Sequence, residues 1–483
     1  LLPVFALIKP APFWEFMETV PNKTFSTSPR HRLSSRPDSS CLGETLRTAV
    51  PRPAQSGLTL HANRSDPIGI LRLQGLTRIA SLLPVRYDRM KVSPFTFLRG
   101  AAAVMAQDLA KAPVSGIHVQ SCGDCHLANF GSYASPEGVP VFDINDFDET
   151  LDAPFEWDIK RLGTSLVLSG HENGLSPKAA RQLVKTMSLS YTQQMARLAG
   201  MTPLQVWVDR IDLVAAISDF EDPKVKAKAE KLLSDRLDAA KGYFGLVSSD
   251  KSGPSLKEKP PLVMRLPDQE EAIRLAFARY IATQPPERAI LLKRYNLRDV
   301  IFKVVGIGSV GTFCAIGLFA TADGETMLLQ IKEAQTSVLE AGALPSPFKN
   351  QGERVVTGQR IMQAVSDTFL GWTHSNASIG SDTPDLAGAG RQFYVRRVKD
   401  SRLAAIGADV AQEGLEDYAR LCGRTLARAH ARSGNASMIS GYLGKGAGFA
   451  DAMAEFSQNY AQQTEADWKS FVTALEHGKL AAH

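Results

Sequence analysis

The residues of this chain that are best suited to chemistry are carboxylates and amides at the ends of two short apolar segments. Asp124 and Asn129 follow the first segment. Asp143 and Asp146 lie at the end of the second segment, 139–144. Side chains at neighbouring strand ends can converge on a ligand, and carboxylate and amide oxygens are the ligands that Mg²⁺ prefers. This region therefore predicts a divalent metal site with a further carboxylate that can act as a base.

A second group of residues, much later in the chain, has the composition of a phosphate-binding loop. Gly306, Gly308 and Gly311 follow an apolar segment. Ser309 lies among them, and Lys332 ends another apolar segment further on. Glycine-rich backbone can approach phosphate groups closely, and a lysine can bind them. A base, metal ligands, a glycine-rich loop and a phosphate-binding lysine are the parts that phosphoryl transfer requires.

The pattern G-x-G-x-x-G has two structural meanings, which the residues after it distinguish. In a dinucleotide-binding fold the glycines open a helix, whereas in a kinase they join two strands that cover ATP. Here the apolar segment 312–319 leads to the turn 322–325 and a second apolar segment. This order predicts strand, turn and strand, with Lys332 placed to contact the α- and β-phosphates. Its carboxylate partner is expected on the next helix, at Glu353 or, as second choice, Glu340.

The elements that must position these residues are mainly helices, interrupted by a β-rich region. Helices are predicted at 70–83, closed by Pro84, and at 99–111, 353–367 and 415–432. Four regions are expected: a disordered or loosely attached arm (1–63), a helical lobe with the catalytic loop and metal-binding strand (64–297), a β-rich nucleotide-binding lobe (298–400), and C-terminal helices that complete the helical lobe (401–483). The first residue is Leu, so Met17 is a candidate start.

The composition is that of a folded protein without a strongly charged surface. Of the 483 residues, 44% are apolar and 22% are charged, and the net charge is +5. So small an excess, without a basic cluster in the body of the chain, argues against nucleic-acid binding. No apolar run reaches the roughly 18 residues that a membrane-spanning helix needs. The five cysteines are few and odd in number, which favours a reduced, cytoplasmic setting.

The stretch Cys122-x-x-Cys125-His126 also matches a pattern for covalent haem attachment. No secretory signal accompanies it, and no second Cys/His pair at ligand spacing completes a zinc site. We therefore expect neither haem nor zinc.

The succession of carboxylate motifs resembles the aminoglycoside and choline kinase branch of the kinase-like fold. In that branch H-G-D-x-x-x-x-N precedes an I-D-F-E-type metal aspartate, and a later aspartate at a helix start braces the catalytic loop. The resemblance implies that Asp124 is the base and that Asn129 and Asp146 are metal ligands. It also implies that Asp158 is the brace, while Asp143 is the alternative metal ligand.

From about residue 66 the chain as a whole resembles a bacterial uncharacterised family called domain of unknown function 2252. The segments that carry the resemblance are 93–100, 122–131, 142–149, 304–311, 332–334 and 358–360. Position 125, usually Ala in that family, is Cys in this chain. The family name itself implies no activity.

Together these motifs predict an α+β, two-lobed protein-kinase-like fold that is circularly permuted. The catalytic loop precedes the glycine-rich lobe, and the helix at 415–432 replaces the helix that in an ordinary kinase runs into the catalytic loop. The expected function is ATP- and Mg²⁺-dependent phosphotransfer to an unidentified hydroxyl acceptor, a small molecule or a protein. In this mechanism Asp124 orients the acceptor, and Lys332 with the glycine loop holds the phosphates.

Two alternatives remain open from the sequence. A catalytically inactive nucleotide-binding or scaffold protein would have the same fold without turnover. An NAD(P)-binding oxidoreductase would need a helix after the glycines and an acid for the ribose, for which Glu333 is the candidate. Arg99 and the pair Arg396-Arg397 are further candidate ligands of phosphate or substrate.

Overall fold

The computed structural model of the chain describes residues 34–58, 64–239, 245–250, 253–375, 390–398 and 414–480. The elements below all belong to the compact unit Arg36–His483. This unit, Arg36–His483, combines helices with antiparallel strand pairs, so it has the predicted α+β class.

Several helices begin where a capping side chain is followed by proline. Asp66, Ser93 and Ser176 each accept a hydrogen bond from a backbone N–H of the first turn, and a proline follows each of them. Proline suits this position because its missing N–H has no helical partner there. The helices are α1 (Arg36–Ala49), α2 (Pro67–Gly75), α3 (Leu83–Met90), α4 (Pro94–Gly100), α5 (Ala102–Leu109), α6 (Phe155–Glu172), α7 (Pro177–Ala199), α8 (Pro203–Val208), α9 (Leu213–Ser218), α10 (Pro223–Ala239), α11 (Glu270–Ala282), α12 (Pro286–Leu292), α13 (Gln351–Met362), α14 (Leu415–Ala431), α15 (Ala436–Leu443) and α16 (Ala447–Glu476).

Two predicted helices differ from the structure in their bounds. Pro84 lies in the first turn of α3, so it begins a helix and does not close the predicted helix 70–83. The predicted helix 99–111 is two helices, α4 and α5, which meet at Ala101. A proline is tolerated in a first turn, so its presence alone does not show on which side the helix lies.

The strands form one large sheet and three small pairs in the described part of the chain. They are β1 (His118–Ser121), β2 (Phe130–Ala134), β3 (Pro140–Ile144), β4 (Leu151–Pro154), β5 (Val247–Asp250), β6 (Gly253–Leu256), β7 (Val263–Met264), β8 (Asn296–Lys303), β9 (Cys314–Ala320), β10 (Thr326–Glu333), β11 (Gly371–His374) and β12 (Gln392–Arg397). β1 pairs with β4, β2 with β3 and β5 with β6. The large sheet has the order β11-β12-β10-β9-β8-β7, so it includes strands that begin before the predicted boundary at residue 298.

The six-stranded sheet packs one face against α11. Phe277 and Tyr280 of this helix are fully buried against Phe319 and Val395 of the sheet. β9 and β10 form the predicted hairpin, and their register places Lys332 opposite Cys314, at the end where the glycine-rich segment enters β9. Lys332 and the glycine-rich segment therefore lie at the same end of these two central strands.

The helical part of the unit is built around α6, which is buried from residue 155 to residue 170. This buried stretch includes the charged residues Asp158, Lys160 and Arg161. Charged side chains are rarely buried without partners, so α6 indicates a region where charges are paired internally. α14 makes its most extensive helix contact with α7. None of the helices in the described part combines the length and apolar character needed to cross a bilayer.

The described part of the predicted arm is folded and docked. α1 lies against α15, where Arg47 donates to the carbonyl oxygen of Gly441 at 2.8 Å and Tyr442 donates to that of Val50 at 3.0 Å. A Cβ built on Gly43 would lie 2.0 Å from the carbonyl oxygen of Met438. The prediction of a disordered or loosely attached arm is therefore wrong for residues 36–56. The sequence did not reveal this docking because the contact is made by a glycine and by backbone atoms instead of an apolar stripe. Residues 1–33 and 59–63 lie outside the described residues.

We expect Gly43→Ala to weaken the docking of α1. The added methyl group overlaps the backbone of α15, and overpacking of this kind typically costs about 1–3 kcal/mol. Urea unfolding measures the loss of stability, and limited proteolysis measures faster cleavage within residues 34–58.

Gly448→Ala is the matched control, because a Cβ at this helical glycine would lie 4.0 Å from its nearest neighbour. Alanine favours a helix over glycine by about 1 kcal/mol, so this variant should be as stable as the wild type or more so. A Gly43→Ala protein as stable and as protease-resistant as the control would contradict the docked helix.

Candidate functional site

The loop 122–129, between β1 and β2, is held in place by Asp158 on α6. The Asp158 carboxylate accepts hydrogen bonds from the backbone N–H groups of Cys122 at 2.8 Å and Gly123 at 3.0 Å. His430 Nε2, on α14, lies 3.1 Å from the same carboxylate. Burial alone raises the pKa of Asp158, but its hydrogen bonds, first that with His430, lower the pKa overall. Asp158 thus occupies the bracing position that the kinase resemblance implies.

The two cysteines of this loop lie close to Asp158. Cys122, Cys125 and Asp158 offer ligand atoms within 4.8 Å of one another, the only such group of three His, Cys, Asp or Glu residues in the described part of the chain. Burial raises the pKa of Cys122 well above its ordinary value and that of Cys125 to about 11, so both remain thiols at neutral pH. Asp158 already accepts the hydrogen bonds described above. We therefore assign no metal to this group.

Asp124, the predicted base, is anchored by Arg161 of α6. Arg161 Nε donates to Asp124 Oδ1 at 2.7 Å, and Nη2 donates to the same oxygen. The second oxygen, Oδ2, lies 3.7 Å from His126 Nε2. Burial raises the pKa of Asp124, while Arg161 acts in the opposite direction. One carboxylate oxygen is thus fixed, and the other remains available to a ligand.

Asp146 and Asn129 lie beside this carboxylate and line the same cavity. Among the described residues, the Asp146 carboxylate accepts one hydrogen bond, from the backbone N–H of Asp148 at 3.3 Å. Burial and then the neighbouring charge of Asp148 raise the pKa of Asp146. Asn129 Nδ2 donates to the backbone oxygen of Asp124 at 2.7 Å, which orients the side-chain amide. Two oxygen-bearing side chains therefore remain available for a cation.

The structure does not bring Asp143, the alternative metal ligand, to this cavity. Asp143 is buried on β3 and forms an ion pair with Arg428 of α14 at 2.5 Å. The side chains of the two residues are 5% and 0% exposed, respectively. Asp143 therefore connects β3 to α14, and of the two candidates only Asp146 lines the cavity.

Lys332 reaches the loop between β3 and β4 from the six-stranded sheet. Its ammonium group forms an ion pair with Asp148 Oδ2, and the hydroxyl of Tyr394 donates to Oδ1 at 2.8 Å. Burial alone lowers the pKa of Lys332, but the neighbouring carboxylates raise it overall. The partner is thus Asp148, and neither Glu353 nor Glu340, the predicted partners, takes this place. Spacing along the chain could not reveal a partner from the other lobe.

The glycine-rich segment forms a loop between two antiparallel strands. Gly306 and Gly311 have positive φ angles of 66° and 91°, which residues with a side chain rarely adopt. Arg89 and Arg78, from the helical part, donate to carbonyl oxygens of this segment. β9 begins at Cys314, directly after the loop. The strand, loop and strand order predicted from the sequence is therefore present, and no helix follows the glycines.

The middle of this loop closes over the carboxylates. A Cβ built on Gly308 would lie 3.9 Å from Asp124 Oδ2. The hydroxyl of Ser309 donates to Asp148 Oδ2 at 3.1 Å. Asp148 thus contacts both Ser309 of the loop and Lys332 of the sheet, and it lies two residues after Asp146.

The enclosed space between these groups has a volume of about 130 Å³. Its walls include the predicted residues Asp124, Asn129, Asp146, Gly306, Gly308 and Ser309. Lys332 reaches this wall through Asp148, whereas Gly311 and Glu353 are not part of it.

Sequence reasoning missed several residues of this site. Arg161 lies three residues after Asp158 on the same helix face, so helical spacing could have identified it. Asp148 could have been found as the second acid of the D-F-D sequence. Arg78 and Arg86 of the cavity wall come from α2–α3 and their connection, where no motif marks them.

Glu149 is another wall residue whose protonation differs from that of an exposed carboxyl group. Its side chain accepts a hydrogen bond from the backbone N–H of Val338 at 2.7 Å. Burial raises the pKa of Glu149 to about 7, although this hydrogen bond acts in the opposite direction. Glu149 therefore changes its protonation state near neutral pH, unlike an exposed carboxyl group.

The chain belongs to a family of uncharacterized proteins conserved in bacteria, DUF2252, whose model matches residues 78–474. This confirms the family resemblance identified from the motifs. Neither the curated proteins nor the solved structures contain a significant match to the chain.

We expect Glu149→Gln to change the pH dependence of stability. The pKa of Glu149 is about 7 in the folded chain and about 4.3 when unfolded, so the folded state binds the proton more tightly. The contribution of this group to the free energy of unfolding is fully present below pH 4.3 and is lost as the pH rises through 7. Relative to Glu149→Gln, the wild type should lose up to about 3 kcal/mol between pH 5 and pH 8, measured by urea unfolding.

The control is Glu44→Gln, the same chemical change at an exposed position of α1. Its stability should follow that of the wild type at every pH. Parallel pH profiles for the wild type and Glu149→Gln would refute the raised pKa.

Proposed function

We propose that this protein is an ATP- and Mg²⁺-dependent phosphotransferase with a circularly permuted, kinase-like arrangement. The observation that carries the proposal is the ion pair between Lys332 and Asp148, which are 184 positions apart. This pair joins the strand after the glycine-rich loop to the loop that carries Asp146. Asp124, Asn129, Asp146 and the glycine-rich loop line one cavity, which Lys332 meets through Asp148, and these are the kinds of group that phosphoryl transfer requires.

In this proposal Asp124 orients the acceptor hydroxyl. Arg161 holds Oδ1, and Oδ2 is directed toward the glycine loop, 3.9 Å from a Cβ built on Gly308. A fixed carboxylate with one available oxygen can accept the hydrogen bond of a hydroxyl and receive its proton during transfer. Arg161 keeps Asp124 in position while substrates bind and leave.

The proposed metal ligands fit a hard cation. Asp146 has a carboxylate with a single backbone hydrogen bond, and Asn129 has an amide oriented by its own hydrogen bond to the loop. Repulsion from Asp148 raises the pKa of Asp146, and a bound cation would relieve this repulsion. When bound, Mg²⁺ neutralises charge on the phosphate oxygens.

The glycine-rich loop must rise to admit a nucleotide. The closed cavity has about 130 Å³, whereas pockets that bury a ligand of drug size have about 300 Å³ or more. Ser309 and the arginines Arg78 and Arg89 hold the loop by a few hydrogen bonds. The hydrogen bond of Ser309 can be exchanged for one with a phosphate oxygen, and those of the two arginines can break as the loop rises, while the β8–β9 framework stays in place.

The order of the elements supports a permuted arrangement. In an ordinary kinase one helix leads directly into the catalytic loop, whereas here α14 lies far beyond it in sequence. α14 nevertheless contacts the loop region through His430, which meets Asp158, and through Arg428, which pairs with Asp143. Only the spatial convergence of groups matters to the chemistry.

Two observations weigh against the dinucleotide alternative. A strand follows Gly311 directly, so no helix N-terminus faces the glycines. Glu333, the candidate for the ribose, pairs with Arg391 and accepts a hydrogen bond from the backbone N–H of Phe313 at 2.8 Å. The catalytically inactive nucleotide-binding or scaffold alternative shares the proposed site and differs only in turnover.

We expect the protein to bind ATP in the presence of Mg²⁺ without competition from NAD. The physical reason is that the glycines cover a cavity lined by carboxylates, which requires a cation alongside the phosphates. Isothermal titration calorimetry with ATP, with and without Mg²⁺, measures this binding. An excess of NAD should leave the ATP affinity unchanged.

ATP without Mg²⁺ is the internal control and should bind much more weakly. Heat from NAD with none from Mg²⁺ and ATP would reject the phosphotransferase and favour the dinucleotide alternative.

We expect Asp124→Asn and Asp146→Asn to affect different steps. Asp124→Asn should lower turnover by about 10²- to 10⁴-fold with little change in nucleotide affinity, because a base acts chiefly in the transition state. Asp146→Asn should weaken nucleotide binding as well, because a metal ligand acts in the ground state. ADP release with Mg²⁺, ATP and a panel of hydroxyl acceptors measures turnover, and calorimetry measures affinity.

The matched control is Asp88→Asn, the same change at a side chain that is 66% exposed on α3. Thermal melting of all three variants checks that each is folded. Equal ADP release by the wild type and by folded Asp124→Asn and Asp146→Asn proteins would favour the inactive scaffold.

A further inference from the structure

Three guanidinium groups line the cavity without a carboxylate partner. They belong to Arg78, Arg86 and Arg99, which we call the arginine trio. Among the described residues, no carboxylate lies within the 4.0 Å of an ion pair from any of the three. The proposed phosphotransfer roles use none of them.

Arg86 is the most deeply buried member, with a relative exposure of 0%. Its Nη2 donates to the carbonyl oxygen of Gly100 at 2.7 Å and to Gln74 Oε1 at 3.3 Å. Its Nε and Nη1 have no hydrogen-bond partner in the described part of the chain, and the Nε atoms of Arg78 and Arg99 also have none. Buried N–H donors without acceptors are costly, so this wall is incomplete without a ligand that accepts hydrogen bonds.

Of the five acids that line the cavity, three are held by other cations, and in the described part of the chain Asp146 and Glu149 form no ion pair with the trio. The pairs are Asp124 with Arg161, Asp148 with Lys332, and Glu333 with Arg391. The trio therefore presents to the cavity guanidinium groups without a paired carboxylate and N–H donors without a hydrogen-bond partner. A dianion with several oxygen acceptors matches both properties, since guanidinium groups bind phosphate in a forked geometry.

The trio lies on the side of the cavity where the acceptor must enter. Arg161 Nη2 donates both to Asp124 and to the carbonyl oxygen of Leu98 at 2.9 Å, which ties the residue before Arg99 to the base. A Cβ built on Gly308 would lie 3.2 Å from the Arg99 carbonyl oxygen and 3.9 Å from Asp124 Oδ2. Arg99 is thus next to the group that orients the acceptor.

The arginine trio and the protein groups proposed to bind the nucleotide come from different elements of the chain. The trio comes from α3, α4 and the connection between α2 and α3, before the catalytic loop. The nucleotide groups of the proposed function come from the six-stranded sheet and the segment 304–313. An ATP molecule held by the latter leaves the arginine wall to the second substrate.

We propose that the arginine trio is an anion-binding site and that the acceptor of this enzyme is a small molecule that already carries a phosphate group. The role as acceptor site rests on the proposed function, whereas the anion site itself does not. The phosphate of the acceptor contacts the arginine trio, and the acceptor's hydroxyl reaches Asp124. The γ-phosphoryl group then passes to this hydroxyl, ADP leaves, and the hydroxyl proton goes to Asp124.

The test is calorimetric binding of inorganic phosphate to the full chain. We expect the wild type to bind phosphate alone and also with saturating Mg²⁺ and a non-hydrolysable ATP analogue. Arg99→Gln and Arg78→Gln should each weaken phosphate binding by about ten- to 100-fold, because a charged hydrogen-bond donor is lost. Arg72→Gln, at an exposed position of α2, is the matched control and should bind as the wild type does.

Each other result overturns a stated part of the proposal. Absence of phosphate binding by the folded wild type, or equal binding by Arg99→Gln, Arg78→Gln and Arg72→Gln, rejects the anion site. Displacement of phosphate by the ATP analogue assigns the trio to the phosphates of the nucleotide and rejects the acceptor role. Failure of the analogue to bind rejects the proposed phosphotransferase, whereas the phosphate titration alone still decides the anion site. Thermal melting of each variant separates loss of binding from loss of folding.

Discussion

The carboxylate of Asp158 is the interaction on which the rest of the site depends. It accepts hydrogen bonds from two backbone N–H groups of the loop 122–129 and lies within hydrogen-bonding distance of the imidazole of His430, and both side chains are buried. Removal of one partner from a buried charged group typically costs about 3–5 kcal/mol, so these contacts specify one loop conformation. The loop is thus fixed from α6, and α14 supports α6 through His430. Arg161 of α6 then holds the Asp124 side chain, and Asn129 donates back to the Asp124 backbone within the loop.

The distribution of charge in the cavity follows from which acid obtains a cation. Asp124 is paired with Arg161 and Asp148 with Lys332, so Asp146 has no cation of its own within the protein. Burial and the charge of Asp148 raise the pKa of Asp146, whereas Asp148, although equally subject to burial, has a lowered pKa owing to Lys332. Two acids separated by one residue therefore have pKa values shifted in opposite directions. The direct contacts of Asp148 with Lys332 and Tyr394 of the sheet contribute to this difference.

Local patterns predicted the parts of the fold that depend on local interactions. The hairpin after Gly311 followed from two apolar segments joined by a turn, whereas the bracing position of Asp158 was implied by the resemblance to the aminoglycoside and choline kinase branch. Partners across large sequence separations could not be predicted, because spacing carries no information about them. Asp143 has the sequence position of a metal ligand, but its carboxylate forms an ion pair with Arg428 of α14, 285 positions away. The docking of α1 was missed because its glycine contact with backbone leaves no apolar period, and Arg86 was missed because nothing in its helix marks it as buried.

The distance in sequence between Asp158 and His430, 272 positions, has a consequence for biosynthesis. Ribosomes add about 5–20 residues per second, so the loop and its brace exist for about 14–54 s before their histidine is made. During that interval Asp158 and Asp143 belong to a nascent chain whose completing helix is absent. The first half of the protein therefore emerges with acidic groups that cannot yet be buried, and its core closes only near the end of translation. Chaperones that protect incomplete chains would act on this protein chiefly in that interval.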